Sequence, residues 1–290
     1  MLIDEYRGRL PITKMCELVK VSKTAYYNWS SKMPSVSSLC SGDKLSKEME
    51  DIVNEFSGYG YRRVTAELKR RKYAINHKKV LRIMRLKNLT KRKKRRYIPT
   101  TCSAHNLPVH PNLAKDIVPT ATNQLWVADI TYIYLSSEFV YLAAILDAFS
   151  RKVVGWALKS SLSQELSLSA LRMALMKRNF SQGLIHHSDR GVQYACKDYV
   201  NLLRNHGIAI SMSAKGNPYE NAQAESFMAT LKREEVYLFD YENMAEAQER
   251  IGYFIEDVYN TKRLHSSLEY LPPAEFESKL ESELATVNVS

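Results

Sequence analysis

The sequence predicts an α/β protein, in which a mixed five-stranded sheet with flanking helices is preceded by small all-α units. Three observations carry this. From residue 125 onward, short runs rich in Val, Ile, Tyr and Trp alternate with longer helical patterns. Before residue 91, apolar residues recur at helical spacing only. Charge divides along the same line: residues 1–115 hold 26 Lys/Arg against 9 Asp/Glu, a net of +17, and residues 116–290 hold 16 against 22, a net of −6. The two halves therefore meet different partners.

Residues 11–29 read as two short helices around a turn, with Ile12, Met15, Cys16 and Val19 on one face and Ser22 capping the second helix. That is helix-turn-helix size, and in such a motif the second helix would point Lys23, Thr24, Tyr27 and Asn28 at a DNA major groove. Any helical hairpin shows the same pattern. Cys16 is most simply a small core residue. After a Ser/Pro-rich linker at 30–42 comes a second helical unit with stripes Leu45, Met49, Ile52, Val53, Phe56; Val64, Leu68; and Val80, Leu81, Ile83, Met84. Asn76 is its expected last cap. Lys78, Lys79, Arg82 and Arg85 lie outside the last stripe, placed to face phosphates or enter a groove. Between Gly60 and Arg96 stand 17 basic residues and one acid, Glu67, ending in Lys91-Arg92-Lys93-Lys94-Arg95-Arg96. A polyanion relieves such self-repulsion by counterion release, and helical spacing within the run distinguishes it from a solvated tail.

In the second half, runs at 125–135, 139–146 and 152–158, joined by short polar segments, predict an antiparallel meander. A helix at 164–178, a strand at 184–187, a helix at 197–205 and a strand at 208–212 follow, so the order is β-β-β-α-β-α-β. Two long helices, 220–237 and 242–259, are expected to finish the chain. The units are then 1–33, 44–96, a linker 97–119, a core 120–237 and a helical extension 238–290.

Cys16, Cys40, Cys102 and Cys196 are scattered, which speaks against a disulfide framework or a CxxC metal ribbon and for a reducing cytoplasm. The longest apolar run, 139–146, is far short of a membrane span, and the start Met-Leu-Ile-Asp-Glu is no signal peptide. His105 and His110 near Cys102 lack the partners zinc needs. His186 and His187 are adjacent on a strand and point to opposite faces, so at most one faces any given site.

Three acids stand out. Asp129 interrupts the apolar strand Trp126-Val127-Ala128-Asp129-Ile130-Thr131-Tyr132, where an unpaired carboxylate is costly. Metal coordination is one explanation; an arginine partner or a sheet-edge position is another. Asp189 directly follows a strand, where ligands gather in α/β sheets. Glu225 opens a helix after Gly216-Asn217-Pro218-Tyr219. Singly, each could be a surface or capping acid.

Together, Asp129, Asp189 and Glu225, the last two separated by thirty-five residues, resemble the Asp-Asp-Glu triad of retroviral-integrase-like transposases. The flanking words resemble the second-reading-frame (OrfB) transposases of bacterial insertion sequences. They are Trp126-x-x-Asp129-Ile130-Thr131-Tyr132; His187-Ser188-Asp189-Arg190-Gly191-x-Gln193-Tyr194; Gly216-Asn217-Pro218-x-x-Asn221-Ala222-x-x-Glu225-Ser226-Phe227; Leu231-Lys232-x-Glu234; and Tyr259-Asn260-x-x-Arg263-x-His265-x-Ser267-Leu268-x-x-x-x-Pro273-x-x-Phe276. Tyr59-Gly60-Tyr61-Arg62-Arg63 extends the likeness into the helical half.

The resemblance implies an RNase H-like integrase core and metal-dependent DNA cleavage followed by strand transfer. Asp129, Asp189 and Glu225 would hold two Mg²⁺ ions, with Mn²⁺ as a substitute, since hard cations take oxygen ligands. Water would release a 3′-OH at the element end, which then attacks a second phosphodiester. Lys232, two helical turns after Glu225, would contact terminal DNA. Arg190 would hold a phosphate or pair with a neighbouring carboxylate. The implied partners are double-stranded DNA, as terminal inverted repeats and target, a second copy of the chain, and an upstream-frame (OrfA) product or fusion. The chain starts at Met1, as a downstream-frame product would. The implied location is the bacterial cytoplasm, at the nucleoid. A nuclease that only hydrolyses DNA and a transposase-derived DNA-binding regulator are the competing functions.

Overall fold

The computed structural model describes residues 11–32, 43–90, 108–136, 138–180, 182–214 and 221–287. The basic run at 91–96, most of the 30–42 linker, Cys40, Cys102, His105 and the 216–219 loop lie outside the described residues.

Helices α1 (Ile12–Leu18) and α2 (Lys23–Lys32) pack through buried Met15, Cys16 and Tyr26, and the Ser22 hydroxyl caps α2 by accepting from the Ala25 N–H at 3.1 Å. Helices α3 (Asp43–Glu55), α4 (Tyr61–Arg70) and α5 (His77–Leu86) bury Met49, Ile52, Val64, Leu68, Val80, Ile83 and Met84 together. Asn76 caps α5, its Oδ1 accepting from the Lys78 N–H at 2.8 Å. Leu264 belongs to the same cluster, so this unit's core is completed by the chain's C-terminal part.

Strands β1 (Leu125–Tyr134), β2 (Phe139–Asp147), β3 (Val153–Lys159), β4 (Ile185–Ser188) and β5 (Ala209–Met212) form one sheet in the order β3-β2-β1-β4-β5. The meander β1-β2-β3 is antiparallel, and β4 and β5 join in parallel. The pairing of β4 with β1 spans only Leu125–Val127, ending at Val127 beside His187.

Helices α6 (Gln164–Lys177), α7 (Val192–Ala195) and α8 (Lys197–Asn205) cover one face over Trp126, Ala128, Ile130 and Ile145. Each such large side chain contributes about 2 kcal/mol on burial. Gly155 lets α6 approach β3 closely: a Cβ there would lie 2.2 Å from the Ala170 carbonyl oxygen. The opposite face, with Val127, Ile133, Leu142 and Leu146, is covered by α9 (Ala222–Glu234) and α10 (Met244–Tyr253). The helix α10 continues as a π-helical stretch, Phe254–Tyr259.

The mixed five-stranded sheet with flanking helices agrees with the expected fold. Two helices do not finish the chain, however. The expected helix 220–237 ends at Glu234 and gives way to a 3₁₀ turn, Val236–Leu238, and a further helix, α11 (Pro273–Val287), follows. An acid-rich sequence hid α11, because it docks by ion pairs: buried Glu277 pairs with Lys152 at 2.8 Å and with Arg178. Among the described residues, no helix is long and apolar enough to cross a membrane.

Candidate active site

Strand register assembles the first two acids. Asp129 and Asp189 each stand two residues beyond the last β1-β4 pair, Val127 and His187, and a step of two returns a side chain to the same face of a sheet. The Asp129 Oδ1 accepts from the Ile130 N–H at 2.9 Å, and the Asp189 Oδ1 from the Gly191 N–H at 2.9 Å. A Cβ at residue 191 would sit 2.9 Å from that same Asp189 oxygen, so glycine suits the turn.

Glu225 arrives on the first turn of α9, which packs on β1. The attachment is specific: buried Asn221, at the start of α9, donates from Nδ2 to the Ala128 carbonyl at 2.9 Å, one residue from Asp129. Lys232 lies two turns on, with Nζ 4.5 Å from the centroid of the Tyr132 ring.

Electrostatics tie the group together. Burial, then the charges of Asp189 and Glu225, push the Asp129 carboxyl up to about 7, against the pull of the Ile130 N–H and Lys232. Burial also raises Glu225. Burial lowers Lys232, opposed by the charge of Asp129. The Tyr194 hydroxyl, buried without a hydrogen-bond partner, is held well above its ordinary value by burial first, then by Tyr199, Asp189 and Asp129. Among the described residues, no three His, Cys, Asp or Glu side chains form a closed metal cage; the charges of Asp189 and Glu225 nevertheless reach Asp129. Their donor chemistry fits hard divalent cations, being all carboxylate oxygen, and a dication would reverse the repulsion that raises Asp129.

The neighbouring residues divide between frame and surface. His186 meets the Tyr199 hydroxyl at 2.9 Å and His187 the Ser211 hydroxyl at 2.8 Å, so both buried histidines brace the sheet. Arg190 donates from Nε to the Ser213 carbonyl at 2.8 Å, tying the loop after β4 to the end of β5. Lys23, Tyr27 and Asn28 are exposed on α2. Lys78, Lys79, Arg82 and Arg85 are exposed on α5 and form no salt bridge among the described residues. Asn221 and Tyr194 were present in the sequence words, but nothing local in them signals a strand clamp or a buried hydroxyl beside the acids.

Two models described as integrase core domain match residues 119–218 and 206–273, and one described as HTH-like domain matches residues 41–97. The transposase InsF for insertion sequence IS3A of Escherichia coli (strain K12) is 32% identical over 96% of this chain and 98% of its own length. The chain belongs to the integrase-core transposases of bacterial insertion sequences. The transposase for insertion sequence element IS904 of Lactococcus lactis is 40% identical over 80% of this chain and 93% of its own length. Among solved structures, the simian T-cell lymphotropic virus intasome has a TM-score of 0.46 at 15% identity, covering 79% of this chain and 74% of that one. This transposase is thus a DNA transposase with a polynucleotidyl-transferase core, and its sheet is the RNase H-like one that the sequence words imply.

Proposed function

We propose that Asp129, Asp189 and Glu225 are the catalytic carboxylates of this transposase. They hold two Mg²⁺ ions, replaceable by Mn²⁺, while element ends are cleaved and joined to target DNA. The state of Asp129 carries this reading: a carboxyl pushed up to about 7 by burial and by two other acids from separate elements is a cluster in need of positive charge. When bound, the two ions supply Lewis-acid charge to the attacking and leaving oxygens of an in-line phosphoryl displacement.

The chain's own residues position the reaction. The Ile130 and Gly191 N–H groups fix one oxygen each of Asp129 and Asp189. Asn221 fixes the helix bearing Glu225 to the strand bearing Asp129. Lys232 offers its ammonium to a DNA phosphate at the carboxylates, and Arg190 holds the loop of Asp189 in place through the Ser213 carbonyl.

The division of labour follows the charge. Residues 1–33 and 44–96 grip element DNA through Lys23, Tyr27 and Asn28 on α2 and Lys78, Lys79, Arg82 and Arg85 on α5. Residues 97–119 link them to the cutting core at 120–237, and 238–290 extend it. The active form is a homo-oligomer in the bacterial cytoplasm, at the nucleoid, because two element ends are handled at once, with an upstream-frame product as partner or fusion.

Purified protein, a labelled element-end duplex and Mg²⁺ or Mn²⁺ test the reading. Strand transfer supports it, nicking alone indicates a nuclease, and binding alone a regulator. Full joining by Asp129→Asn, Asp189→Asn and Glu225→Gln would overturn the catalytic assignment.

A further inference from the structure

We propose that an aromatic shelf on the face of β1 opposite Asp129, joined to the carboxylates by Lys232 past the point where β4 leaves β1, and formed by Tyr132, Tyr134 and Phe139 with Tyr237 at its border, binds an unpaired nucleobase of the DNA being processed. The inference rests on the proposed catalytic site, which brings the reacting phosphate next to Lys232.

The hairpin register builds the shelf. Tyr134 and Phe139 are directly opposite on β1 and β2, and Tyr132 is diagonal to Phe139. The Tyr134 and Phe139 ring centroids are 4.9 Å apart, and those of Tyr132 and Phe139 are 5.6 Å apart, edge to face. These rings are not a core that faces inward. Tyr134 is 58% exposed, Phe139 48% and Tyr237 62%. Grouped exposed aromatic area of this kind marks a binding surface, whereas singly scattered apolar residues do not.

Charge and continuity select the occupant. The Lys232 ammonium sits 4.5 Å from the Tyr132 ring centroid and feels the charge of Asp129, so one side chain joins the shelf to the carboxylate site. A nucleotide needs a flat π-face for its base and a cation for its phosphate, and the shelf and Lys232 supply both. DNA is already the ligand of the adjoining site. Stacking is tolerant of sequence, which suits an enzyme whose target strand varies. A base freed by fraying at the cleaved end would settle on the shelf and hold its phosphate against Lys232.

The test uses the full chain in EDTA, where binding is read without cleavage. A fluorescein-labelled duplex with a short single-stranded overhang carrying 5-iodouracil is compared with its blunt counterpart. The overhang duplex binds more tightly, and Tyr134→Ser with Phe139→Ser removes that advantage, a loss of roughly tenfold, while blunt-duplex affinity is unchanged. Tyr134→Trp with Phe139→Trp keeps flat rings and retains the preference, which guards against a misfolded serine variant. Irradiation cross-links iodouracil to Tyr132, Tyr134 or Phe139. Equal weakening on both duplexes, or cross-links confined to other segments, overturns the proposal. So does a fall in subunit number by light scattering with the overhang preference intact, which assigns the shelf to a second copy. Joining by Asp129→Asn at full rate would sink the catalytic site and leave this binding result standing, so the two failures are distinguishable.

Discussion

Arg263 and Glu234 form a two-pronged pair, Nε to Oε2 at 2.7 Å and Nη2 to Oε1 at 2.9 Å, with 2% and 7% of their side chains exposed. Glu234 is the last residue of α9, the helix that carries Glu225. Around the pair the helical unit α3-α5 is seated on the core. A Cβ at Gly58 would lie 2.2 Å from the Glu234 Cγ. The Tyr59 hydroxyl accepts from the Leu264 N–H at 2.7 Å, and the Arg63 Nε donates to the Leu264 carbonyl at 3.0 Å. The Tyr59-Gly60-Tyr61-Arg62-Arg63 and Tyr259–His265 words are therefore two sides of one joint between the basic unit and the end of α9.

Breaking a buried pair costs about 3–5 kcal/mol, and removing Arg263 leaves Glu234 with Arg233, 2.8 Å away and half exposed, which places the cost at the lower end. Arg263→Met is expected to lose stability of that order in urea unfolding. The double variant Arg263→Met with Glu234→Gln recovers part of it, since neither charge is then stranded. A loss below about 1 kcal/mol for Arg263→Met would show that the pair is not what seats the unit.

With Asp129, itself pushed up to about 7, replaced by asparagine, stability should fall with acid well before the ordinary carboxylates titrate. Burial, then His187, holds His186 down to about 3, and burial, then Arg263 and Arg63, does the same for His265. A histidine kept neutral in the fold and free to charge when unfolded loses stability as pH drops below its unfolded value near 6.5, continuing down to about 3. At pH 5 each contributes a loss of about 2 kcal/mol. Urea unfolding from pH 7 to pH 5 in the Asp129→Asn background, which removes the opposing gain from protonating Asp129, measures the slope, and adding either His265→Gln or His186→Gln should remove about half of it. A flat profile over that window would refute the neutral buried state.

The meander, the strand-helix alternation and the acids at Asp129, Asp189 and Glu225 were legible because each is local: an alternating apolar run, a carboxylate in an apolar strand, a word after a strand. Asn221 and Ala128 are 93 residues apart, and Glu234 and Arg263 are 29 apart. Periodicity says which face a residue takes and nothing about which distant atom it meets. The same limit hid α11, whose Glu277 is held by Lys152 and Arg178 rather than by an apolar stripe.

Asp129 is expected to cost the metal-free fold stability. Its folded value lies above the ordinary 3.8, at about 7, so its contribution is fully present below 3.8 and is lost as pH rises through 7. With allowance for partial solvent screening, the ionised group costs about 2 kcal/mol at pH 8. Asp129→Asn should then raise the metal-free Tm at pH 8 by about 5 °C and lose that advantage at pH 4. It should also abolish strand transfer and the stabilisation that Mg²⁺ confers. A lowered Tm at pH 8 would mean that Asp129 is a folding contact.

The basic face of α5 should be visible in salt dependence. Lys78, Lys79, Arg82 and Arg85 are exposed and unpaired with acids among the described residues, so each is available to a phosphate. Each phosphate contact adds about 0.9 to the slope of log K against log salt. Replacing all four by alanine should make the slope shallower by about 2–4, measured by fluorescence anisotropy at several KCl concentrations. An unchanged slope would leave the face merely solvated.

Asn221→Ala should separate joining from binding. The variant leaves the Ala128 carbonyl without its donor, at about 1–3 kcal/mol, and frees the first turn of α9 from the strand of Asp129. A shift of about 1 Å between groups that act on one phosphate can cost roughly a hundredfold in rate. Strand transfer is therefore expected to fall about a hundredfold, with duplex affinity in EDTA unchanged, because the α2 and α5 surfaces lie elsewhere in the fold. Asn221→Asp, whose carboxylate cannot donate to the carbonyl and adds a fourth negative charge beside Asp129, should fall further still. Wild-type joining by Asn221→Ala would show that Glu225 is placed by packing of α9 on β1 alone.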